Sequence, residues 1–223
     1  HLGVRRQRQM CIRDRDTHLW NPFIEYGTIS KQGERTDLNE LKDNIMSGAV
    51  SVDQVAIDDP MAFHQYGRTL TKIEDVALRK KFRTEMTTCL WLHGPTGVGK
   101  SHRAFEGYHP DTHYLWKLND GGWQDGYTGQ ATVIINDFRG EIKYNTFLNM
   151  VDKWPFTVPR RGKEPAPFLA NHIIVTSSLA PQQVFRNRCA EDSLSQLLRR
   201  VTVEDLTPPP WHAPWIIGVD GLS

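Results

Sequence analysis

Three short runs of apolar residues, many of them β-branched or bulky, predict strands that are buried on both faces of a parallel sheet. The runs lie at residues 89–92, 132–135 and 172–176. Apolar residues at helical spacing occupy two further stretches, 144–154 and 193–201, which predict helices that cover the sheet. The alternation of the two patterns indicates an α/β fold for this part of the chain.

A helical pattern fills residues 36–85, ahead of the first strand. Asp37 stands near a helix start, and Leu38, Leu41 and Ile45 recur on one face of the helix that follows. The pattern predicts further helices at 52–57, 60–66 and 72–82. We expect a small helical module before the α/β domain, which serves either as an oligomerisation collar or only as packing cover.

The two ends of the chain carry no hydrophobic period. Residues 1–15 are rich in arginine and could be a nucleic-acid arm, a disordered end, or translated adapter read-through of the run QMCIRDR. We favour the last two interpretations, because nothing in this stretch is patterned to pack. Residues 207–223 begin with the run TPPPWHAPW, whose prolines exclude a helix and predict an extended tail.

Eight consecutive residues after the first strand match the phosphate-binding pattern G-x-x-x-x-G-K-[ST] at every fixed position. In such a loop the backbone N–H groups surround the β-phosphate, Lys100 reaches the β- and γ-phosphate oxygens, and the Ser101 hydroxyl ligates Mg²⁺. The pattern therefore predicts a nucleotide triphosphatase, for which we expect ATP and Mg²⁺; the alternative is a chance match in a glycine-containing turn. The predicted nucleotide-binding residues are Gly94, Pro95, Thr96, Gly97, Val98, Gly99, Lys100 and Ser101.

Polar residues end the second and third predicted strands. Asn136 and Asp137 follow the run at 132–135, where P-loop ATPases place a ligand of Mg²⁺-bound water and a carboxylate that polarises the attacking water. Asn136 could hold such a water through its carbonyl but brings no negative charge, so Asp137 is the catalytic carboxylate and, with Ser101, the predicted metal site. The alternative is an ordinary strand end with turn residues. Ser178, after the third strand, could sense the γ-phosphate or hold the attacking water.

A basic turn lies between the second and third strands, within residues 156–168. Two short extended segments flank Arg160, Arg161, Gly162 and Lys163, which predicts a hairpin with three cations near its tip. Such a tip could grip a phosphodiester backbone without recognising bases, or it could be an ordinary solvated turn.

The composition indicates the compartment and the kind of partner contact, but it does not indicate the reaction. The 27 basic and 26 acidic side chains leave a formal net charge of +1, so any nucleic-acid contact has to be local. Cys11, Cys89 and Cys189 lie far apart, which argues against a zinc site or a disulfide framework and for a reducing compartment. No apolar run approaches the roughly 18 residues that span a bilayer, and no signal peptide is present. We therefore expect an intracellular protein with no membrane partner.

Taken in order, the motifs resemble those of one family. The runs GPTGVGKS, WQDGYTGQ, VIINDFRG, a basic hairpin followed by PFLA, HIIVTSS and LLRRVT are similar to the superfamily 3 helicase domain of the replication-associated (Rep) proteins of circovirus-like circular single-stranded DNA viruses. The resemblance covers residues 23–206. It implies an AAA+-like P-loop NTPase at 86–206 that moves along single-stranded DNA as a homo-oligomeric, hexameric ring in the host nucleus, with the helical module at 36–85 for oligomerisation.

The resemblance also assigns roles to individual residues. It places Walker A at Gly94, Gly99, Lys100 and Ser101, Walker B at Asn136 and Asp137, the DNA-contacting hairpin at Arg160, Arg161 and Lys163, and motif C at Ser178. Family members usually carry Asn at the motif C position. Arg199 or Arg200 falls where an arginine finger would reach a neighbouring subunit's nucleotide, although both could be charges on a helix surface.

Members of this family also carry an N-terminal HUH endonuclease with a catalytic Tyr in a YCxK motif. Residues 16–35 look like the end of that domain and its linker, and the run at 11–14 (CIRD) occupies the place of YCxK. We expect these residues neither to nick nor to rejoin DNA. Two other interpretations stay open: a related helicase of a single-stranded RNA virus, and an ATP-binding scaffold that assembles on DNA without turnover.

Overall fold

A computed structural model describes residues 36–119, 121–189 and 191–208. The expectations for residues 1–35 and for 209–223 lie outside these ranges. The helices are α1 (Thr36–Ser47), α2 (Val52–Asp58), α3 (Pro60–Arg79), α4 (Lys100–Ala104), α5 (Tyr144–Met150), α6 (Pro181–Val184) and α7 (Leu194–Leu198). The strands are β1 (Thr88–His93), β2 (His113–Leu115), β3 (Thr132–Ile135), β4 (Thr157–Val158), β5 (Ala166–Pro167), β6 (His172–Ser177) and β7 (Val201–Asp205).

Five parallel strands form the central sheet in the order β2-β3-β6-β1-β7. The three predicted strands are β1, β3 and β6, and they lie side by side in the middle of the sheet, where both faces are covered. Because β1 and β3 are both parallel to β6, which lies between them, the phosphate loop after β1 and the polar pair after β3 open on the same edge of the sheet. The α/β P-loop NTPase fold is confirmed.

One predicted helix is shorter than its pattern. Leu194 and Leu197 lie in α7, but that helix ends at Leu198, and Val201 begins β7 in register with Cys89 of β1. The prediction that Val201 continues the helix was therefore wrong. The side of β1 that faces away from β6 needs a partner strand, and β7 supplies it. Val201 is β-branched and is therefore well suited to extended backbone.

Aromatic side chains fill the core on one face of the sheet. Trp91 packs edge-on against Phe138 and Phe147, with ring centroids 5.6 and 5.7 Å apart, and Phe185 closes the cluster. On the other face Ala104, at the end of α4, packs with Leu92 and Ile134 in a smaller cluster. Successive residues of β1 thus serve opposite faces, as expected for a strand covered on both sides.

The helical module has a small core of its own, formed by Ile45, Val52, Val55 and Leu70. Ser51 caps α2 and Asp59 caps α3, each accepting a backbone N–H with its side chain. The helices predicted at 60–66 and 72–82 are in fact one continuous helix, α3, of 20 residues. Its interior residue Gly67 packs tightly, since a Cβ there would lie 3.0 Å from the Phe63 ring. Oligomerisation through this module stays a prediction.

In the described part of the chain, no helix has the length and apolarity needed to cross a membrane. Among the same residues there is no group of three or more His, Cys, Asp or Glu side chains that could hold a metal ion.

Candidate functional site

The phosphate loop runs from the end of β1 into α4. Gly99, directly before α4, has a φ of 85°, in the left-handed region that favours glycine. Gly94 has a φ of 144°, and a Cβ at this position would lie 3.2 Å from backbone atoms of Leu206 and Thr207. The loop therefore needs glycine at Gly99 for its backbone conformation and at Gly94 also for the close approach of the chain that leaves β7.

The Lys100 ammonium lies across this loop. Its Nζ donates hydrogen bonds to the carbonyl oxygens of Gly94 and Pro95, at 2.8 and 2.7 Å. These two acceptors hold the positive charge against the loop itself. The role of Lys100 toward the β- and γ-phosphates stays a prediction.

Ser101 contacts the end of β3 through one hydrogen bond that spans 35 residues of sequence. Its Oγ donates to Asn136 Oδ1 at 3.0 Å. Thr176 Oγ1, on β6, donates to the same oxygen at 2.9 Å. The hydroxyls of Ser101 and Thr176 thus converge on Asn136 Oδ1, which faces Ser101. This is the orientation needed to accept from a metal-bound water.

Asp137 has a special backbone conformation. Its φ is 55°, the one positive value among the described non-glycine residues, and Asp is one of the few residues that tolerate this region. The Asp137 N–H donates to Thr176 Oγ1 at 2.8 Å. The Asp137 carboxylate is 60% exposed and accepts from Arg139 Nη2 at 3.2 and 3.4 Å. Such an exposed pair is weak, so the carboxylate stays accessible.

Thr176 is the site residue that sequence reasoning missed. Its hydroxyl links Asn136 to the Asp137 backbone, and the residue is almost wholly buried, at 1% exposure. Ser178, which the motif order favoured, is exposed just beyond β6. The buried Ser177 between them donates to the Phe138 carbonyl at 2.6 Å. The missing signal was strand adjacency, because Thr176 comes opposite Asn136 only when β3 and β6 are neighbours.

The two candidate finger arginines have different surroundings. Arg200 is mostly covered, with its Nη2 3.0 Å from Asp152 Oδ2 and its Nη1 donating to the Gln196 carbonyl at 3.1 Å. Arg199, at the end of α7, is exposed. The guanidinium of Arg200 is therefore held within its own chain, and Arg199 is the one that faces outward.

The predicted hairpin is present, formed by the antiparallel strands β4 and β5. Arg161 and Lys163 are exposed at its tip, on either side of Gly162. Arg160 is different. It is only 6% exposed, donates to the Glu164 carbonyl at 2.6 and 3.0 Å, and pairs with Asp75 Oδ1 on α3 at 2.5 Å.

Asp75, with 13% of its side chain exposed, is the anion that Arg160 contacts. Burial raises the pKa of Asp75, but the hydrogen bond and the charge of Arg160 outweigh that effect, and the pKa lies below its usual value. The structure thus separates Arg160, which braces the turn from inside and joins it to α3, from the two cations that face solvent.

The segment WQDGY ties the hairpin to the rest of the domain. The Gln124 side chain is fully buried; its Oε1 accepts from the Tyr114 hydroxyl and the Lys117 N–H, and its Nε2 donates to the Lys117 carbonyl. The Gln124 backbone N–H donates to the Pro159 carbonyl at 2.9 Å. Gln124 thus holds the loop after β2 through its side chain and the hairpin through its backbone N–H.

A protein-family model described as RNA helicase matches residues 90–179, a stretch that holds the phosphate loop, Asn136, Asp137 and the hairpin. Three curated proteins, each named replication-associated protein, are similar over most of the chain. The one from Porcine circovirus 2 is 33% identical and covers 82% of this chain and 57% of its own length. That from Human associated cyclovirus 1 is 32% identical, covering 82% and 65%. That from Beak and feather disease virus is 30% identical, covering 80% and 59%.

The chain therefore spans somewhat more than half of the length of these relatives. Among solved structures, two of the NrS-1 C-terminal region align with 79% of this chain and 39–40% of their own. Their sequence identities are 14% and 13%, and their TM-scores are 0.37 and 0.39.

Proposed function

The chain is homologous to the replication-associated proteins of circoviruses and carries a helicase-type domain, and we propose that this domain is an ATP-driven motor on single-stranded DNA. The observation that carries the proposal is the contact between Ser101 and Asn136, which brings the phosphate loop to the end of β3. A P-loop ATPase needs these two groups together, because the hydroxyl and the strand-end oxygen serve the same metal ion.

The donor set fits Mg²⁺ bound with ATP. Hydroxyl, amide and carboxylate oxygens are the ligands that Mg²⁺ accepts, and it commonly keeps several of its waters. Ser101 would ligate it, Asn136 Oδ1 would accept from one of its waters, and Asp137 supplies the negative charge nearby. When bound, the ion would neutralise charge on the phosphates. Since Asn136 is neutral, metal affinity in this chain depends strongly on the nucleotide's own phosphates.

The residues of the chain would divide the catalytic work. Lys100 neutralises charge that develops on the γ-phosphoryl group, and Asp137 orients the attacking water and accepts its proton. Arg199 would act as the finger in a neighbouring subunit of the ring, because Arg200 is held by Asp152. The homo-oligomer, hexameric by family resemblance, would then be part of the catalyst.

Arg161 and Lys163 are the residues proposed to hold DNA. Both are exposed at the hairpin tip, and cations on a short turn suit contacts with phosphates, which carry no sequence information. We assign DNA over RNA because the relatives are replication-associated proteins of circoviruses. Action in the host nucleus is part of the same proposal.

The test is steady-state phosphate release from ATP, with and without single-stranded DNA. Stimulation of ATP turnover by single-stranded DNA would support the proposed ATP-driven motor. ATP binding without turnover would favour the scaffold, and stimulation by RNA alone would favour an RNA helicase, as the family model's description suggests.

Thr176→Val is expected to lower ATP turnover by about ten- to a hundredfold, because the Asn136 oxygen and the Asp137 backbone lose the hydroxyl that positions them. Thr176→Ser keeps the hydroxyl and should stay within about threefold of the unmodified chain. Turnover and KM for ATP, measured across a Mg²⁺ series, check the prediction. Equal turnover of the valine and serine variants would contradict it.

Lys163→Ala is expected to weaken single-stranded DNA binding by a similar factor for all sequences, and to lower the salt slope by roughly 0.7, because one phosphate contact is lost. Fluorescence anisotropy across a salt series measures both quantities. Lys153→Ala, which removes an exposed lysine stacked on Trp154, is the matched control. If the two variants behave alike, Lys163 is only a solvated turn residue.

A further inference from the structure

Trp123 is a large apolar side chain that the fold leaves 38% exposed. It is also the residue directly before the buried Gln124, which the structure fixes from several sides. The Gln124 N–H bonds the Pro159 carbonyl on the hairpin at 2.9 Å, while its side chain holds the backbone of Lys117. The loop that carries Trp123 is thus attached both to the hairpin and to the end of β2.

The next residue, Asp125, fixes the loop to the hairpin tip itself. Its Oδ1 accepts from the Arg161 backbone N–H at 2.6 Å, and its Oδ2 lies 3.9 Å from Arg161 Nε. Trp123 therefore lies two residues away from the anchor of the tip. This placement follows from hydrogen bonds between segments 36 residues apart.

Positive charge accompanies the exposed ring. Lys117 is exposed on the loop after β2, and Arg161 and Lys163 are exposed at the hairpin tip; Gln124 and Asp125 tie these two segments together. An exposed aromatic side chain on a loop that is joined to cationic segments suits a single strand, whose bases stack on the ring while the phosphates contact the charges. It suits a duplex poorly, because paired bases are already stacked on one another.

We propose that Trp123 is a base-stacking residue for single-stranded DNA, and that Lys117 extends the phosphate contacts of the hairpin tip onto the neighbouring loop. Gln124 is the positioning residue that holds the two parts together. This inference rests on the proposed function and deepens it, since it makes part of the binding depend on the bases as well as on the phosphate backbone.

Two labelled oligonucleotides of equal length separate the contributions, one intact and one with abasic sites throughout. Trp123→Ala should weaken binding of the intact strand about tenfold, as expected for the loss of one base stacked on an aromatic side chain, and leave its salt slope unchanged. It should have no effect on the abasic strand. Lys117→Ala and Lys163→Ala should weaken both strands and lower the slope by roughly 0.7 each.

The chain offers a matched control in Trp154, which is 64% exposed and has Lys153 Nζ 4.7 Å from its ring centroid. Trp154→Ala should bind both oligonucleotides like the unmodified chain. Trp123→Tyr keeps an aromatic face and should restore most of the affinity for the intact strand. Circular dichroism compares the folds of all the variants.

Each remaining outcome has a distinct meaning. If Trp123→Ala binds the intact strand normally while Lys163→Ala does not, stacking is overturned and the proposed function stands. An equal loss on intact and abasic strands would also overturn stacking, because it would assign Trp123 a structural role. If the unmodified chain binds neither strand, the proposed function itself fails. A tighter complex with the matching ribo-oligonucleotide would overturn the assignment to DNA.

Discussion

Lys100→Ala is expected to lower ATP turnover by on the order of a hundredfold or more, with the fold retained. In the proposed mechanism the ammonium acts on charge that develops as the phosphoryl group transfers, so its loss should raise the barrier and not merely the KM. In the structure the Lys100 ammonium donates to two carbonyls of its own loop. The side chain is not part of the apolar core, so its removal should leave the fold intact. Steady-state phosphate release and circular dichroism, measured together, check both halves of the prediction.

The control for Lys100→Ala is Lys153→Ala, which removes an exposed lysine beside Trp154 and outside the phosphate loop. It should leave turnover unchanged. Turnover of the Lys100 variant within about threefold of the unmodified chain would remove Lys100 from the catalytic site, since the loss of such a contact costs far more than that.

Arg83→Ala is expected to destabilise the domain by about 3–5 kcal/mol, because each buried acceptor that is left without its donor costs about 1–3 kcal/mol. Arg83 is 8% exposed, and its guanidinium donates to the carbonyls of Asn149, Met150 and Trp154 and to Thr87 Oγ1. Without the Arg83 guanidinium, these largely buried acceptors lose their hydrogen-bond donor. The midpoint and slope of urea unfolding give the change in free energy of unfolding.

Arg83 also has a geometric role, because it joins the segment between α3 and β1 to the end of α5. Its guanidinium carbon lies 5.1 Å from the centroid of the Phe168 ring, which follows β5. Burial lowers the pKa of Arg83 from its usual value.

Arg103→Ala is the matched control. Arg103 and its partner Glu204 are both partly exposed, and such a pair contributes about 1 kcal/mol or less to stability. An equal decrease in the free energy of unfolding for the Arg83 and Arg103 variants would contradict the stabilising role assigned to the Arg83 hydrogen bonds.

The comparison of Arg160 with Lys163 shows where sequence reasoning reached its limit. Both were predicted at the hairpin tip, because a basic turn between two extended segments predicts exposed cations. The turn is present, but Arg160 is buried against Asp75, which lies 85 residues earlier in the chain. A pattern within 13 residues contains no information about a partner so far away. Only the packing of the hairpin on α3 decides which cation is covered.

The amino-acid sequence by itself determined the phosphate loop, the three central strands and the polar pair Asn136 and Asp137, because each depends on spacing and residue type within a few neighbouring positions. The tertiary structure decided the order of the strands, and with it the contact of Thr176 with Asn136. It also decided that Val201 pairs with β1, that Gln124 is buried between a loop and the hairpin, and that Trp123 stays exposed beside it. These features join segments that are distant in sequence, and their free energy comes from packing and from the pairing of buried polar groups, which local periodicity does not encode.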